Sequence, residues 1–245
     1  MTLIIKNLSY TYPNHKKPTI SEVHVTVKKG EFISLIGKSG SGKSTLLKLI
    51  TGILYQDAGD IKLNDRSITL GDVGYMPQQD LLLPWRTVLE NIMLPVEIQK
   101  NSHLTREEVR KWLERAGLAG YEQAYPNQLS GGMRQRVSFL RAMITGKDLL
   151  LLDEPFGALD SFTKKEMQTW LLSIWRDSKK TIFFITHDLE EACYLSDRIL
   201  LLKPDHPMEE IVVGLPRPRP SDIVYTSKLV ELRHKLEKKM TDEKP

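Results

Sequence analysis

The sequence Gly37-Lys38-Ser39-Gly40-Ser41-Gly42-Lys43-Ser44 decides the fold, because it fits the phosphate-binding P-loop pattern at every position. The apolar run Phe32–Ile36 precedes it, and a helical stretch beginning at Thr45 follows it. The glycines let successive backbone N–H groups face a phosphate, and the positive end of the helix dipole faces the same anion. The segment therefore predicts a strand, a phosphate-binding loop, a helix and a nucleoside triphosphate ligand.

Two residues at the end of this loop have predicted chemical roles. Lys43 is expected to bridge the β- and γ-phosphates, and the Ser44 hydroxyl is expected to bind Mg²⁺. A lysine and a hydroxyl placed after a glycine-rich turn thus indicate a site for a triphosphate with its magnesium ion.

A second group of chemical residues follows two other apolar runs. Four leucines at positions 149–152 lead into Asp153 and Glu154, and the predicted strand at residues 181–186 leads into His187. Carboxyl ends of parallel strands face one crevice, so these side chains are expected near the P-loop. Asp153 is predicted to hold Mg²⁺ through water, and Glu154 to polarise the attacking water. His187 is predicted to bond the γ-phosphate and hold Glu154 and the water in register.

The composition restricts the class of protein. Of 245 residues, 40% are hydrophobic and 27% are charged, as in an ordinary globular domain. The net charge of +4 comes from scattered basic residues without a basic stripe, so nucleic acid is not expected as a partner. The single cysteine, Cys193, excludes an internal disulfide and is expected on the buried side of a helix. No apolar run is long enough to predict a membrane span, and no signal-peptide pattern is expected.

Apolar runs alternate with helical stripes along the chain, which indicates an α/β fold with a mainly parallel sheet. Strands are predicted at residues 3–5, 32–36, 149–152, 182–185 and 199–202. Residues 79–145 show helical patterns without a convincing strand, so they are expected to form an inserted helical lobe. Residues 215–220 are predicted to be a stiff proline-rich connector. An apolar stripe then predicts a tail helix that packs back on the core; its members are Leu229, Leu232, Leu236 and Met240.

The segment Ser130-Gly131-Gly132-Met133-Arg134-Gln135-Arg136 precedes a further helical stripe. Together with the P-loop, the acidic strand end and His187, it resembles the signature of ATP-binding-cassette (ABC) transporter ATPases. The resemblance implies a P-loop NTPase core of the RecA type with a mainly parallel sheet. It also implies an N-terminal antiparallel β subdomain and an inserted α-helical subdomain at about residues 79–145. The expected boundaries are an ATPase domain at 1–215 and a connector with a C-terminal helix at 216–245.

The resemblance implies roles for residues that the chemistry alone does not assign. Tyr12 is expected to stack on adenine, although Tyr10 on the same strand face is an alternative. Gln78 is expected to sense Mg²⁺ and the attacking water, although Gln79 is an alternative. Asp160 is expected in the loop that links two active sites. The expected ATP-binding set is Tyr12, Gly37, Lys38, Ser39, Gly40, Ser41, Gly42, Lys43, Ser44, Thr45, Gln78, Ser130, Gly131, Gly132 and Asp160. The expected catalytic set is Glu154, His187, Gln78 and Lys43, and the expected metal set is Ser44, Gln78 and Asp153.

The family pattern also implies partners. Two copies of the chain are expected to pair head to tail around ATP, each site borrowing Ser130 and Gly132 from the other copy. A membrane permease is expected to dock on the helical lobe, which places the chain at the cytoplasmic face of the membrane. An extracytoplasmic solute-binding protein would act indirectly.

A narrower resemblance concerns residues 78–85, which read Gln-Gln-Asp-Leu-Leu-Leu-Pro-Trp. This segment is similar to one in importers of nitrate, sulfonates, taurine and thiamine-precursor pyrimidines. Leu82, Leu83 and Trp85 are expected to form an apolar docking patch, with a core role as the alternative. The alternatives at the level of function are an exporter ATPase or a cassette acting on DNA or ribosomes. The interval between Lys43 and Ser130 is too short for the long coiled coil of a chromosome-maintenance cassette.

Overall fold

Two β-sheets form the centre of the computed structural model, which describes residues 2–99, 104–204 and 206–241. In chain order the strands are β1 (Leu3–Tyr10), β2 (Ile20–Val27), β3 (Phe32–Ile36), β4 (Ala58–Leu63), β5 (Arg66–Ser67), β6 (Gly74–Met76), β7 (Leu149–Asp153), β8 (Thr181–Ile185), β9 (Arg198–Leu201) and β10 (Glu209–Val212). The α-helices are α1 (Lys43–Ile50), α2 (Val88–Ile98), α3 (Arg106–Arg115), α4 (Gly131–Ile144), α5 (Ser161–Ser178), α6 (Leu189–Leu195) and α7 (Ser227–Thr241).

The larger sheet is mainly parallel, as predicted, with strand order β10-β9-β3-β8-β7-β6. Every residue of β3 and β8 is buried, because helices cover one face of the sheet and the smaller sheet with α1 covers the other. Ile185 pairs with Leu35 of β3 on one side and with Asp153 of β7 on the other. The carboxyl ends of three central strands are therefore level, and the segments that follow them meet at one edge.

The smaller sheet is antiparallel, with strand order β2-β1-β4-β5. It confirms the expected antiparallel β subdomain, although the apolar runs had predicted only its first strand. In β2 the buried residues Val23, Val25 and Val27 alternate with exposed ones, so one face packs inward. A combined apolar core lies between this sheet, α1 and one face of the larger sheet.

Between β6 and β7 the described residues form helices and no strand. Two of these helices begin with complete capping boxes, Thr87 with Glu90 and Thr105 with Glu108, which bond the first free N–H groups. The helices share an apolar core of their own, separate from the two cores of the sheets. We refer to residues 79–145 as the helical lobe, and its standing as a separate subdomain is a proposal.

The C-terminal segment is attached firmly to the larger sheet's core. Arg219 is buried and donates to the carbonyl oxygens of Cys193, Tyr194 and Ser196 at 3.2, 2.8 and 2.7 Å. The side chains of Leu229 and Leu236 on α7 are fully buried. This confirms that the tail helix packs back on the core, and Arg217 and Arg219 bond the connector to the C-terminal end of α6. Cys193 is buried in α6, as predicted.

Within the described ranges, no helix combines the length and the apolar character needed to cross a bilayer.

Candidate functional site

A cavity of about 520 Å³ lies against the P-loop. Its lining consists of Thr19, Ser39, Gly40, Gly42, Lys43, Ser44, Thr45, Gln78, Glu154 and His187. Helix α1 begins here after Gly42, and no side chain caps its first N–H groups. These donors therefore remain available to an anion in the cavity.

At two positions of the loop, steric crowding or backbone conformation requires glycine. Gly42 has a φ of 96°, in the left-handed region that disfavours other residues. A Cβ at Gly42 would also lie 2.8 Å from the carbonyl oxygen of Thr19. A Cβ at Gly37 would collide with the carbonyl oxygen of Leu202. The turn can therefore form only with glycine at these two positions.

The side chain of Lys43 folds back over the loop. Its Nζ donates to the carbonyl oxygens of Gly37 and Lys38 at 2.8 and 3.0 Å. Burial lowers the pKa of Lys43, while the nearby carboxylates of Glu154 and Asp153 oppose that shift. The ammonium group is thus held beside the cavity, where it can transfer its hydrogen bonds to phosphate oxygens.

Glu154 lies at the centre of the polar cluster. Its Oε2 accepts from Gln78 Nε2 at 3.1 Å and lies 3.2 Å from His187 Nδ1. The backbone of Glu154 has a φ of 45°, and its N–H bonds the carbonyl oxygen of Ile185 at 3.0 Å. The strand end thus turns Glu154 out towards the cavity. Gln78, rather than Gln79, reaches this cluster and lines the cavity.

Asp153 lies deeper, at the end of β7. Burial and the charge of Glu154 raise the pKa of Asp153, while a hydrogen bond from the Tyr75 hydroxyl and the charge of Lys43 oppose this. The Tyr75 oxygen is 3.5 Å from Asp153 Oδ2. Tyr75 was not found by sequence reasoning, since only the pairing of β6 with β7 places it there.

The predicted metal set offers three oxygen donors, the Ser44 hydroxyl, the Gln78 amide and the Asp153 carboxylate. Such hard donors suit Mg²⁺, which usually keeps several waters and binds substrate phosphates. Among the described residues no three His, Cys, Asp or Glu side chains are grouped to hold a metal. The donor set therefore fits an ion completed by nucleotide and water oxygens.

Tyr12 lies next to the start of α1. Its hydroxyl is 3.3 Å from Thr45 Oγ1, and its ring packs edge-on against Tyr10 at 5.0 Å between centroids. Tyr10 is only 8% exposed, whereas Tyr12 is half-buried. Of the two aromatic candidates, Tyr12 therefore presents the more accessible ring.

The signature residues do not reach the cavity. Ser130 caps α4, and its Oγ accepts from the Met133 N–H at 3.3 Å. Asp160 caps α5, and its Oδ1 accepts from the N–H groups of Phe162 and Thr163 at 3.1 Å. Neither residue belongs to the cavity lining, and the same holds for Gly131 and Gly132. The signature segment and Asp160 thus lie outside the cavity of their own chain.

The expected docking patch is only partly correct. Leu82 is 8% exposed and packs in the core of the helical lobe, so the alternative core role holds for this residue. The exposed large apolar side chains of this segment are those of Leu81 and Trp85, at 58% and 71%. The cause is a local turn, because Asp80 Oδ1 accepts from the Leu82 N–H at 3.1 Å and Leu81 has a φ of 44°. That turn points Leu81 outward and Leu82 inward.

Comparisons with known proteins agree with this geometry. The profile of the family described as "ABC transporter" matches residues 20–157. The chain is 47% identical to the formylaminopyrimidine import ATP-binding protein ThiZ of Halalkalibacterium halodurans, over 86% of this chain and 84% of that protein. It is 39% identical to the aliphatic sulfonates import ATP-binding protein SsuB of Bacillus subtilis, over 89% and 88% of the two chains.

A solved structure shares the fold. It is a dimeric ATP-binding cassette in a post-hydrolysis state bound to ADP and phosphate. The TM-score is 0.77 and the identity is 30%, with 87% of this chain and all of the other chain covered.

Proposed function

Because the chain belongs to the ABC transporter family and is an ATPase, we propose that it is the nucleotide-hydrolysing subunit of a bacterial importer. The observation that carries the catalytic part is the position of Glu154. Its carboxylate lies between Gln78 and His187 at the edge of the P-loop cavity. A general base must be within hydrogen-bond reach of the water that it activates, and this carboxylate faces the space where a γ-phosphate would end.

The chain's own residues divide the work of hydrolysis. The P-loop amides and Lys43 bind the β- and γ-phosphates, and Tyr12 contacts the base. Glu154 accepts a proton from the attacking water at Oε2, while Gln78 and His187 hold that carboxylate in place. Ser44, Gln78 and Asp153 would hold Mg²⁺, which neutralises phosphate charge when it is bound.

A complete site requires two copies of the chain. Ser130, Gly131 and Gly132 stand at the start of α4, where free N–H groups favour an anion. These residues do not line the cavity of their own chain. We therefore assign them, together with Asp160, to the ATP bound by a second copy in a head-to-tail dimer. The dimeric state of a structural relative supports this arrangement.

The importer role gives the dimer its partners. A permease helix would dock on the exposed Leu81 and Trp85 of the helical lobe, placing the chain at the cytoplasmic face of the membrane. An external solute-binding protein would deliver the solute. The names of the relatives favour a formylaminopyrimidine or an aliphatic sulfonate as the imported solute.

The catalytic part is tested by measuring ATP hydrolysis with the purified chain and Mg²⁺. Glu154→Gln should lower kcat about 100-fold or more, the size expected for a lost general base, with ATP still bound. Glu114→Gln on the exposed face of α3 is the matched control and should keep normal turnover. Full activity of Glu154→Gln would refute the assignment.

The importer part is tested in the source organism. Deletion of the gene should abolish growth on a formylaminopyrimidine as thiamine precursor or on a sulfonate as sulfur source. Co-purification with ribosomes or DNA instead of a permease would favour the alternative function.

A further inference from the structure

A partly buried ionic cluster lies next to His187 along the chain. Lys164 Nζ on α5 is 2.8 Å from Asp188 Oδ2 and 2.7 Å from Glu191 Oε1. The Glu191 residue is only 4% exposed. Burial raises the pKa of Glu191, while the hydrogen bonds from Lys164 and Thr186 oppose the shift. One ammonium group thus lies between two neighbouring carboxylates and offsets part of their mutual repulsion.

The cluster fixes the backbone on both sides of His187. Before it, the Thr186 hydroxyl donates to Glu191 Oε2 at 2.5 Å and accepts from the Asp188 N–H at 3.0 Å. After it, Asp188 Oδ1 accepts from the N–H groups of Glu190 and Glu191 at 2.9 and 3.2 Å, which starts α6. The His187 side chain itself is 65% exposed. Its direction towards Glu154 is thus set by its neighbours rather than by packing of the ring.

The other end of the cluster lies at the start of α5. The N–H of Lys164 bonds the carbonyl oxygen of Asp160 at 2.9 Å, so Lys164 is one turn from Asp160. In the same turn, Thr163 lies so close to Gly132 that a Cβ at Gly132 would be 2.5 Å from Thr163 Cγ2. The first turn of α5 therefore touches both segments that the proposed function assigns to the ATP of the other copy.

We propose that Lys164 is a positioning residue that transmits the position of Asp160 and the start of α5 to His187. This inference rests on the proposed function, in which Asp160 and Gly132 face the other copy's ATP. Movement of α5 would displace Asp188 and Glu191 through Lys164, and the loop with His187 would follow. Closure of the dimer would thereby hold His187 against Glu154 of the same chain, at the contact that the single chain already makes.

The test compares Lys164→Met, Lys164→Arg and Lys165→Met. Lys164→Met should lower kcat about tenfold while the Kd for ATP stays within about twofold, because binding does not use this cluster. Lys164→Arg should restore most of the turnover, since it keeps the charge and the donors. Lys165 is the exposed neighbour on the same helix, so Lys165→Met should leave kcat unchanged. Loss of kcat in Lys165→Met equal to that in Lys164→Met would overturn the proposal.

A double-mutant cycle separates positioning from a general structural effect. In a His187→Ala background, Lys164→Met should reduce the residual single-turnover rate by less than about twofold, because both changes act on one group. A further tenfold reduction in that background would mean that Lys164 acts independently of His187, and the proposal would fail.

A structural measurement keeps the inference separate from the proposed function. In a crystal structure of Lys164→Met, His187 Nδ1 should move out of hydrogen-bond range of Glu154 Oε2, from 3.2 Å in the native chain. An unchanged distance in Lys164→Met would overturn the inference even if the native chain hydrolyses ATP as proposed. Absence of ATPase activity in the native chain would instead refute the proposed function, and the distance would still decide the role of Lys164.

Discussion

Replacement of Lys43 by alanine tests the binding half of the site. The Lys43 residue is only 8% exposed, and its Nζ donates two hydrogen bonds to loop carbonyl oxygens. With ATP bound, the same group is expected to donate to phosphate oxygens. The substitution therefore removes a charged donor while every glycine of the turn is retained.

The size of the effect follows from the kind of bond. A hydrogen bond to a charged group contributes about 1.5–3 kcal/mol. Since each 1.4 kcal/mol changes affinity about tenfold, the Kd for ATP should rise about 10- to 140-fold. In the free protein two loop carbonyls lose their donor, so the free energy of unfolding should fall by about 1–2 kcal/mol.

The assay is a titration of the chain with ATP by calorimetry in the presence of Mg²⁺. Lys48→Ala is the matched control, because Lys48 is an exposed lysine on the same helix, α1. Its Kd should stay within about twofold of the native value, since exposed charges contribute little. If Lys43→Ala bound ATP with native affinity while remaining folded, the P-loop assignment would be refuted.

Three further predictions concern the tail, the lobe and the cysteine. Leu236→Ala should lower the free energy of unfolding in urea by about 2–5 kcal/mol, whereas Val230→Ala, at a 40% exposed position of the same helix, should cost less than about 1 kcal/mol. Trp85→Ala should reduce transport without changing ATP affinity; unchanged transport would rule out docking there. Burial raises the pKa of Cys193 to about 12, so a maleimide should label it at neutral pH only after unfolding, and rapid labelling of native protein would contradict its burial.

The local patterns of the sequence predicted most of the parallel sheet and the P-loop. Strand β3, the P-loop and α1 follow one another directly along the chain, so neighbouring residues are enough to predict all three. The capping box of Thr105 and Glu108 likewise marks the start of α3 within four adjacent residues. Strand β2 was missed, although the alternation of Val23, Val25 and Val27 could have indicated it.

Features that depend on distant pairing could not be predicted in this way. Strand β6 has three residues and is defined by its ladder with β7. The inward direction of Leu82 has a similar origin. Its turn is held by Arg134 and Arg141, which bond the side chain and the carbonyl oxygen of Asp80 from α4. The secondary-structure propensities of residues 78–85 cannot indicate these contacts, because both arginines lie on α4.

The candidate site likewise combines local motifs, which the sequence predicts, with contacts between distant residues, which it does not. The P-loop and the acids after β7 were found because each is a short motif. The contact of Glu154 with Gln78 and His187 joins residues 76 and 33 positions apart. The Lys164 cluster was missed because Asp188 lies 24 positions away and only the packing of α5 against α6 unites them.

The central claim is that ATP completes a site shared by two copies of the chain. Sedimentation of Glu154→Gln at saturating ATP and Mg²⁺ tests it directly, since a slowed hydrolysis step should preserve the closed state. The account predicts a particle of twice the 28.1 kDa chain mass that returns to monomer when Ser130→Arg is added. A particle of 28.1 kDa with nucleotide bound would contradict it.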